Sequence, residues 1–443
     1  MPEKWYYAKD DWRGRRVTVM GLGRFGGGLG VTRWLVAQGA QVTVSDQAGE
    51  QDLAGSVAQL KGINVQLHLG GHLVADLTRC DLLVVNPAVP FDSPHLKLAR
   101  DAGVELTTEI NLFVARCRAP ILGITGSAGK STAAAMTGAI LAQARRTHVG
   151  GNIGGSLLEA LPEIAPEHAV VLELSSFQLS YFPLLRRSPG VAVVTNLRPN
   201  HLDRHKDMAE YADAKRNIFR YQGPDGVLVL NRQDSALADW PAQAPGRVEF
   251  FSADDEPFRL KLPGRHNQAN AQAAWTGAKQ LGASRAAAQE ALTGFAGLPH
   301  RLQLVAERNG VRFFDDSKCT SPDEALVALE SFPPRSFVII VGGYDKKIEL
   351  AGLCAALARC ARVVVATGQT GPTIARGVQA ARGEASEPEV VLEPDFAPAV
   401  RAAQARARRG EAVLLSPACA SFDQFNNYEQ RGQVFVELVS KRK

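Results

Sequence analysis

A lysine and two hydroxyl residues follow a glycine-rich segment in the first third of the chain. Residues 125–132 read Thr-Gly-Ser-Ala-Gly-Lys-Ser-Thr, after an apolar run and before an alanine-rich run to about residue 144. This order predicts a strand, a phosphate-binding loop and a helix, because N–H groups at a helix N-terminus bind anions and Lys130 can reach the outer phosphates. Ser131 stands where a hydroxyl would bind Mg²⁺. We therefore expect a nucleotide phosphate site here.

This segment departs from the commonest phosphate-loop pattern at one position. That pattern has Gly five residues before Gly129, where this chain has Ile124, so the fit is to the shorter form Thr-Gly-x-x-Gly-Lys-Ser-Thr. A glycine turn before a well-capped helix is the plain alternative. It explains the glycines but not Lys130 and Ser131 at the helix start.

Three polar side chains follow later apolar runs and could complete such a site. Glu173 ends the run 169–173, and an acid beside a phosphate loop is expected to hold Mg²⁺ or its waters, with capping of the next helix as the alternative. The Gly-Gly-Asn-Ile-Gly segment at 150–154 is expected to be a loop, and Asn152 is its only side chain able to make directed polar contacts. His201 lies in a segment with a second His, an Asp and two Arg, after a strand predicted at 191–195, and we expect it to bind metal rather than to be structural.

Lys215 lies on the apolar face of a predicted helix. The apolar residues of that face recur at a period of 3.6 and are Met208, Tyr211, Ala212, Ile218 and Phe219. A lysine there must extend to solvent, pair with an acid or lose its charge. Periodicity alone leaves extension to solvent and a chemical role in a pocket equally open.

A second glycine-rich loop, at 21–28, follows the strand predicted at 16–20 and precedes a helix and a strand that ends in Asp46. This outlines the dinucleotide-binding fingerprint, which alone suggests NAD, although its glycines admit the pyrophosphate of any nucleotide diphosphate. Asp46 would accept a hydrogen bond from a ribose or uracil group. After further strands at 63–68 and 81–86, the turn Asn-Pro-Ala-Val-Pro at 86–90 is either a ligand-binding turn or a plain proline-stabilised loop.

The rest of the chain predicts two helices and a third sheet. A loop-rich stretch at 241–263 precedes helices expected at 268–281 and 284–294. Asn267 and Asn270 lie one helical turn apart and can cap the first helix or bind a nucleotide base. Strand–helix alternation beyond residue 311 predicts a parallel sheet, with acids, lysines and hydroxyls at its carboxyl edge. Lysines there suit an anionic ligand, and solvated loop charge is the alternative.

Bulk composition excludes several classes of protein. A chain of 443 residues should form two or three domains. The net charge of +5 is not concentrated, which gives no case for a nucleic-acid groove. The six cysteines lack metal spacing and are expected to be reduced thiols. The absence of a long apolar span or a signal-peptide pattern predicts a soluble, cytoplasmic protein that binds no membrane.

Taken together, these segments resemble the Mur ligases, and within them the glutamate-adding members. The resemblance covers the chain in order, and its most specific stretches are Glu-Leu-Ser-Ser-Phe-Gln at 173–178 and Ser-Pro-Ala-Cys-Ala-Ser-Phe-Asp-Gln-Phe at 416–425. The other matching motifs are His-Leu-Asp-Arg-His, Gly-x-His-Asn-x-x-Asn, Pro-His-Arg and Asp-Asp-Ser-Lys.

The resemblance implies an α/β protein of three domains. These are a Rossmann-like UDP-binding domain at 1–110, a central phosphate-loop ATPase at 111–297 and a Rossmann-like amino-acid-binding domain at 298–443. It implies a monomer that uses ATP and two Mg²⁺ ions to join glutamate, expected to be D-glutamate, to UDP-N-acetylmuramoyl-L-alanine through an acyl phosphate. The first glycine loop would then hold uridine diphosphate rather than NAD.

The resemblance also implies roles for individual residues. Those expected to be catalytic are Lys130, Glu173, His201 and Lys215. Mg²⁺ is expected at Ser131, Glu173, His201 and Lys215, the last as a carbamate. The residues expected around ATP are Gly126, Ser127, Ala128, Gly129, Lys130, Ser131, Thr132, Asn152, Asn267, Asn270, Arg301 and Asp316. The residues expected around the other substrates are Gly23, Arg24, Phe25, Asp46, Asn86, Pro87, Ala88, Ser175, Phe177, Gln178, Lys318, Thr320, Lys346 (or Lys347), Ser421 and Phe422.

Some positions differ from the family pattern. Ala128 stands where Asn is usual, Asn200 where Asp is common, and Cys319 where Ala is usual. These differences leave L-glutamate or another amino acid open as the substrate. The rival interpretations are another amide ligase, such as a folylpolyglutamate synthase or an alanine-adding relative, an NAD-dependent oxidoreductase, and a nucleotide-binding regulator without activity.

Overall fold

The computed structural model describes residues 4–8, 11–23, 26–202 and 204–440. Its first sheet has five parallel strands in the order β3-β2-β1-β4-β5. They are β1 Arg16–Met20, β2 Gln41–Asp46, β3 Val65–Leu69, β4 Leu82–Val85 and β5 Glu105–Thr107. The accompanying helices are α1 Trp5–Ala8, α2 Gly27–Ala37, α3 Ala54–Ala58, α4 Val74–Thr78, α5 Pro94–Asp101 and α6 Glu109–Arg116. The predicted strands are present, and β5 is a three-residue addition at the edge.

A second sheet has six parallel strands in the order β11-β10-β9-β6-β8-β7. They are β6 Ile121–Thr125, β7 Thr147–Gly151, β8 Ala169–Glu173, β9 Val191–Val194, β10 Val227–Asn231 and β11 Arg247–Phe251. The helices are α7 Lys130–Leu141, α8 Ser176–Leu179, α9 Phe182–Leu185, α10 Met208–Arg220, α11 Arg265–Lys279 and α12 Arg285–Gly294. Short 3₁₀ turns cover Leu161–Glu163, Ser235–Leu237 and Pro241–Gln243.

Two predictions for this sheet were wrong in detail. The stretch 241–263 was expected to be loop, but β11 lies within it and pairs in parallel with β10. This edge strand is only partly buried over most of its length, so its apolar pattern is weak. The prolines on both sides therefore led to the prediction of a loop. Gly150 and Gly151 were expected in a loop and instead pair with Leu172 and Glu173, which moves the start of that loop to Asn152.

A third sheet has six strands in the order β12-β13-β17-β14-β15-β16. They are β12 Gln303–Arg308, β13 Val311–Asp315, β14 Phe337–Val341, β15 Val363–Ala366, β16 Glu389–Leu392 and β17 Ala412–Leu415. The helices are α13 Pro322–Leu329, α14 Ala351–Cys360, α15 Gly371–Arg382, α16 Phe396–Arg406 and α17 Tyr428–Ser440. The prediction of a wholly parallel sheet was wrong, because β12 is antiparallel to β13. Asn309 and Gly310 join the two strands with φ of 52° and 75°, the left-handed pair that a tight hairpin requires.

The chain forms two compact units. One comprises residues 1–257 and 269–291, and the other comprises residues 258–268 and 292–443. Within the first unit, the first two sheets share a continuous apolar core that includes Val19 and Val170. The third sheet carries its own apolar cores. All six cysteines are unpaired, and no helix in the described ranges is long and apolar enough to cross a membrane.

Candidate nucleotide and substrate site

The glycine-rich loop joins β6 to α7, as predicted. Gly126 has φ of +151°, and a Cβ there would lie 1.9 Å from Thr195 Oγ1. Gly129 is the residue before α7, with φ of +79°, and a Cβ there would lie 2.3 Å from Asn270 Oδ1. Both positions therefore require glycine. The loop leads into a helix that begins at Lys130, which is the geometry of an anion site.

The middle of the loop is held by the end of β9. Asn196 accepts a hydrogen bond from the Ala128 N–H through Oδ1 (2.9 Å) and donates one to the Ala128 carbonyl through Nδ2 (3.0 Å). Thr195 Oγ1 donates to the same carbonyl at 2.6 Å. Ser127 Oγ accepts from the Arg198 N–H at 2.9 Å. The loop backbone is thus fixed at Ala128, whatever the side chain there.

The side chains that begin α7 lie at the loop. Lys130 Nζ donates to the Ser127 carbonyl at 3.1 Å. Ser131 is half-buried and Thr132 is buried, both in the first turn of the helix. The predicted phosphate-binding residues 126–132 are therefore brought together, with the lysine folded back over its own loop.

Glu173 ends β8 beside this loop and is 1% exposed. Its Oε1 accepts a hydrogen bond from Asn152 Nδ2 at 3.1 Å, and its main-chain carbonyl accepts from the Asn152 N–H at 2.9 Å. Its Oε2 is buried and has no hydrogen-bond partner. An unpaired buried carboxylate oxygen is costly, and a divalent cation or its water would satisfy it. The chemistry at Glu173 therefore fits Mg²⁺.

Lys215 is 1% exposed, which rules out extension of its amine to solvent. Its Nζ donates to the Gly126 carbonyl at 2.8 Å, lies 3.4 Å from Thr125 Oγ1 and sits 4.5 Å from the centre of the Tyr211 ring. No carboxylate of the described residues pairs with it. Burial and the nearby Lys130 charge hold the pKa of Lys215 well below its usual value, against the opposing charge of Glu173. The amine is therefore biased towards its neutral, nucleophilic form.

His201 occupies an exposed and strained position in the loop after β9. Its φ is +56°, and its ring centre lies 5.0 Å from that of Phe177 and 6.3 Å from that of Tyr211. Phe177 in turn stacks on His205, with ring centres 5.4 Å apart. Across the described ranges, no group of three or more His, Cys, Asp or Glu side chains is arranged to hold a metal. A metal at His201 therefore remains a prediction.

The residues predicted to bind uridine diphosphate lie at the carboxyl edge of the first sheet. Asp46 Oδ2 accepts hydrogen bonds from the N–H groups of Leu22 (2.8 Å) and Gly23 (3.1 Å). Asp46 therefore shapes the glycine loop itself, a role that the sequence analysis did not assign to it. A Cβ at Gly28 would lie 2.4 Å from the Gly21 carbonyl oxygen, so α2 can approach the loop only with glycine there. Arg24 and Phe25 lie outside the described residues.

The turn at residues 86–90 borders a cleft of about 520 Å³. Asn86 Nδ2 donates to the Gly21 carbonyl at 3.2 Å, and its Oδ1 accepts from the Ala88 N–H at 3.0 Å. Arg204 donates to the Ala88 carbonyl at 2.7 Å and lies 4.8 Å from the centre of the Phe177 ring. The cleft is lined by Pro87, Val89, Pro90, Phe91, Asp92, Phe177, Ser180, Tyr181, Leu202, Arg204, His205, Lys206 and Glu210. Two of the predicted substrate residues, Pro87 and Phe177, therefore line the same cleft.

Ser175 and Gln178 form a capping box at the start of α8. Ser175 Oγ accepts from the Gln178 N–H at 3.2 Å, and Gln178 Oε1 accepts from the Ser175 N–H at 3.0 Å. Both side chains are therefore engaged with each other, and of the three predicted residues in this segment only Phe177 lines the cleft.

In the second unit, Asp316 is 5% exposed. Its Oδ1 accepts from the Leu302 N–H at 3.1 Å and its Oδ2 from Ser416 Oγ at 2.7 Å. Burial raises the pKa of Asp316 to about 7, and the Ser416 hydrogen bond and the Arg301 charge oppose that rise. Arg301 Nε is buried without a hydrogen-bond partner. Asn267 is 3% exposed, and its amide donates to the Pro263 carbonyl at 2.6 Å.

The predicted amino-acid residues surround the carboxyl edge of the third sheet. Thr320 and Lys346 line one small pocket, whereas Lys347 is exposed and pairs with Asp345 at 3.0 Å. Ser421 is 2% exposed, and Phe422, at 64%, is the most exposed large apolar residue of the described chain. Lys318 is half-buried.

Two residues missed by the sequence analysis, Tyr428 and Arg431, hold this edge together. Lys318 Nζ lies 5.9 Å from the centre of the Tyr428 ring. Arg431, 2% exposed, donates to the Ser317 carbonyl at 2.8 Å and to the Ala420 carbonyl at 3.2 Å. A signal existed for both, because they lie within six residues of the end of the motif at 416–425. Asn196, which binds the phosphate loop beside the second sheet, was also missed, although it lies two residues after the buried strand β9.

Family comparisons agree with this arrangement in all three sheets. The family descriptions "Mur ligase MurD-like, N-terminal domain", "Mur ligase middle domain" and "Mur ligase, glutamate ligase domain" match residues 15–108, 124–257 and 300–419. The chain is 39% identical to UDP-N-acetylmuramoylalanine--D-glutamate ligase of Symbiobacterium thermophilum, over 96% of this chain and 97% of that one. The chain belongs to the Mur ligase family.

Other Mur ligases extend the comparison. The like-named ligase of Anaeromyxobacter dehalogenans is 40% identical, over 98% of this chain and 99% of its own. Among solved structures, UDP-N-acetylmuramate-alanine ligase of Thermotoga maritima has a TM-score of 0.61 at 20% identity, covering 96% of this chain and 98% of that one. MurF of Acinetobacter baumannii has a TM-score of 0.60 at 18% identity, covering 95% and 93%. These two structures support the three-domain α/β fold.

Proposed function

We propose that this protein is the ATP-dependent ligase that adds D-glutamate to UDP-N-acetylmuramoyl-L-alanine in cytoplasmic peptidoglycan precursor synthesis. The observation that carries the proposal is the buried Lys215 amine, held 2.8 Å from the phosphate-loop carbonyl of Gly126 and near Glu173. An oxidoreductase has no use for that arrangement. The names and near-complete coverage of the curated relatives support the same activity.

The proposed reaction activates a carboxylate. A carboxylate is a poor electrophile, so the alanine carboxylate attacks the γ-phosphorus of ATP, giving an acyl phosphate and releasing ADP. The glutamate amine then attacks the acyl carbon, and phosphate leaves from a tetrahedral intermediate. Lys130 and the N–H groups at the start of α7 neutralise and orient the transferred phosphoryl group, so catalysis is mainly positioning and charge stabilisation.

We assign two Mg²⁺ ions to this site, with Ser131, Glu173, His201 and carbamylated Lys215 as the residues that would hold them. Bound Mg²⁺ would offset the negative charge of the phosphates. The unpaired Glu173 Oε2 supports one of these ions. The low pKa of Lys215 supports carbamylation, because a neutral amine can add CO₂ and become a carboxylate without bringing a lone cation into the interior.

We assign the remaining residues by domain. Residues 1–110 would bind the UDP moiety through the first glycine loop, Asp46 and Asn86, and residues 111–297 would bind ATP. The cleft at Phe177 would take the sugar and peptide. Residues 298–443 would bind glutamate near Lys318, Thr320, Lys346, Ser421 and Phe422, with Arg301 and Asp316 serving ATP. We expect a monomer.

Phosphate release, measured with each substrate omitted in turn, tests the function. We expect release from ATP only when UDP-N-acetylmuramoyl-L-alanine and D-glutamate are both present, with L-glutamate as the matched stereochemical control. Turnover with a folate substrate, none with the UDP substrate, or a change in nicotinamide absorbance would each contradict the proposal.

Chemical rescue tests the role of Lys215. We expect Lys215→Ala to lose activity and to regain part of it with added formate or acetate, because a short carboxylate can occupy the place of the carbamate. Full activity of the unrescued variant would rule out that role.

A further inference from the structure

A compact contact in the first unit joins α2, α6 and the loop after β7. Ser156 Oγ, in that loop, donates to Glu109 Oε1 at 2.6 Å and accepts from the Leu158 N–H at 3.2 Å. A Cβ on Gly30 of α2 would lie only 2.5 Å from Ser156 Cβ. We refer to Gly30, Glu109 and Ser156 as the Ser156 anchor. No step of the proposed reaction uses these three residues.

The anchored loop has a permissive backbone between two fixed ends. Gly154 and Gly155 have φ of +72° and +83°, a region that glycine enters and leaves at little cost. At one end, Asn152 binds Glu173 through both its main-chain N–H and its side-chain amide. At the other end, Ser156 bonds Glu109, and Leu157 and Leu158 after it pack into the apolar core. Ser156 therefore limits how far the glycine pair can move the chain that follows Asn152.

Glu109 is suited to hold that end. Its low-polarity surroundings raise the pKa of Glu109 to about 7, and the hydrogen bond from Ser156 opposes that rise. A hydrogen bond in such surroundings is stronger than one in water, and its loss leaves a polar group without a partner. Gly30 contributes by shape, since its missing side chain lets α2 press directly on Ser156.

We propose that Glu109 and Ser156 are positioning residues for the divalent-cation site at Glu173. They hold the loop so that Asn152 occupies Glu173 Oε1, and Oε2 would be left available to a cation. The inference rests on the proposed function only in taking Mg²⁺·ATP as the ligand. Groups that orient metal ligands from behind commonly change metal affinity by about 10- to 100-fold when removed.

Nucleotide titration without the other substrates tests this directly, because no turnover is needed. ATP affinity is measured by calorimetry in Mg²⁺ and in EDTA for the wild type, Ser156→Ala, Glu109→Ala and Glu109→Gln. In Ser156→Ala and Glu109→Ala, we expect the ratio of ATP affinity in Mg²⁺ to ATP affinity in EDTA to be about 10-fold smaller than in the wild type. The affinity in EDTA itself should be unchanged. Glu109→Gln keeps an acceptor oxygen and should retain most of that gain. Amide hydrogen exchange over residues 152–158 should be faster in the two alanine variants.

Ser284→Ala is the matched control. Ser284 Oγ accepts the Ala287 N–H at 3.2 Å, so this variant also loses a serine–backbone bond, at the start of α12. It should lower thermal stability without altering the Mg²⁺-dependent gain. An unchanged gain in Ser156→Ala, an equal loss in Ser284→Ala, or a wild type whose ATP affinity does not depend on Mg²⁺ would overturn the inference. Failure of the ligase assay alone, with these titrations as expected, would overturn only the proposed function.

Discussion

Replacing the buried lysine by methionine separates its cost to the fold from its use in the reaction. Lys215 is 1% exposed and bonds only neutral oxygens, so burial lowers its pKa. Between that lowered pKa and the usual value of about 10.5, the unfolded chain binds a proton that the folded chain does not bind. The lysine therefore destabilises the fold at neutral pH, and this penalty diminishes as pH rises towards 10.5.

The magnitude follows from two opposing effects. Keeping the buried amine neutral costs about 1.4 kcal/mol for each tenfold change in its acid dissociation constant, and an apolar side chain removes that cost. Losing the donor to the Gly126 carbonyl offsets about 1–3 kcal/mol of this. We expect Lys215→Met to be about 1 kcal/mol more stable at pH 7, or about 2 °C in its unfolding midpoint, and to become the less stable protein near pH 10.5, where only the lost donor counts. Ligase turnover should fall by at least about 100-fold.

Thermal unfolding in bicarbonate-free buffer from pH 7 to 10.5 measures the stability difference, and phosphate release measures turnover. Lys97→Met is the control, because Lys97 is 73% exposed and pairs with Asp101 on the surface. Such a pair contributes less than about 1 kcal/mol. A Lys215→Met protein that is less stable than the wild type by the same amount at every pH, or that turns over normally, would refute the reasoning.

Three further predictions concern single groups. Gly129→Ala forces a side chain to φ of +79°, and we expect at least about 1 kcal/mol of lost stability and weaker ATP binding by calorimetry, whereas Gly294→Ala, with open space around it, should bind normally. Burial raises the pKa of the Asp316 carboxyl to about 7, so the wild type should lose about 2–4 kcal/mol of unfolding free energy as pH rises from about 4 to 7. Asp316→Asn should lack this pH dependence in denaturant titrations, and a variant that keeps it would contradict the prediction. The hydrogen bond to Asp315 raises the pKa of His300, which stabilises the fold below about pH 6.5 and is lost as pH rises through the raised value; in His300→Gln the melting point should lose this dependence.

Local patterns predicted the parts of the site that a short segment determines. The strand, glycine turn and helix around Lys130 are contiguous, and the positive φ of Gly126 and Gly129 follows from the turn they make. Periodicity placed Lys215 on an apolar face, and the structure buries it there. What periodicity could not decide was whether its amine reached solvent, because that depends on β6, some ninety residues earlier.

The errors in the fold have different origins. Antiparallel β12 was missed even though Asn309-Gly310 is a strong hairpin signal, because the alternation of strands and helices after it suggested only crossover connections. The half-exposed edge strand β11 carries only a weak apolar pattern, so it was not recognised between the prolines that flank it. Prolines outside a strand do not prevent its pairing, and β11 pairs in parallel with β10.

Ala128 shows how a departure from a family pattern can be absorbed. Sequence comparison suggested a lost polar contact at this position, since Asn is usual there. In the structure, Asn196 binds both the N–H and the carbonyl of Ala128, and Thr195 binds that carbonyl as well. The loop is therefore held through its backbone by β9, and its shape does not depend on the side chain at 128. Alanine at position 128 removes only the polar side chain that the family usually has there. We therefore expect this difference to change nucleotide affinity rather than stability.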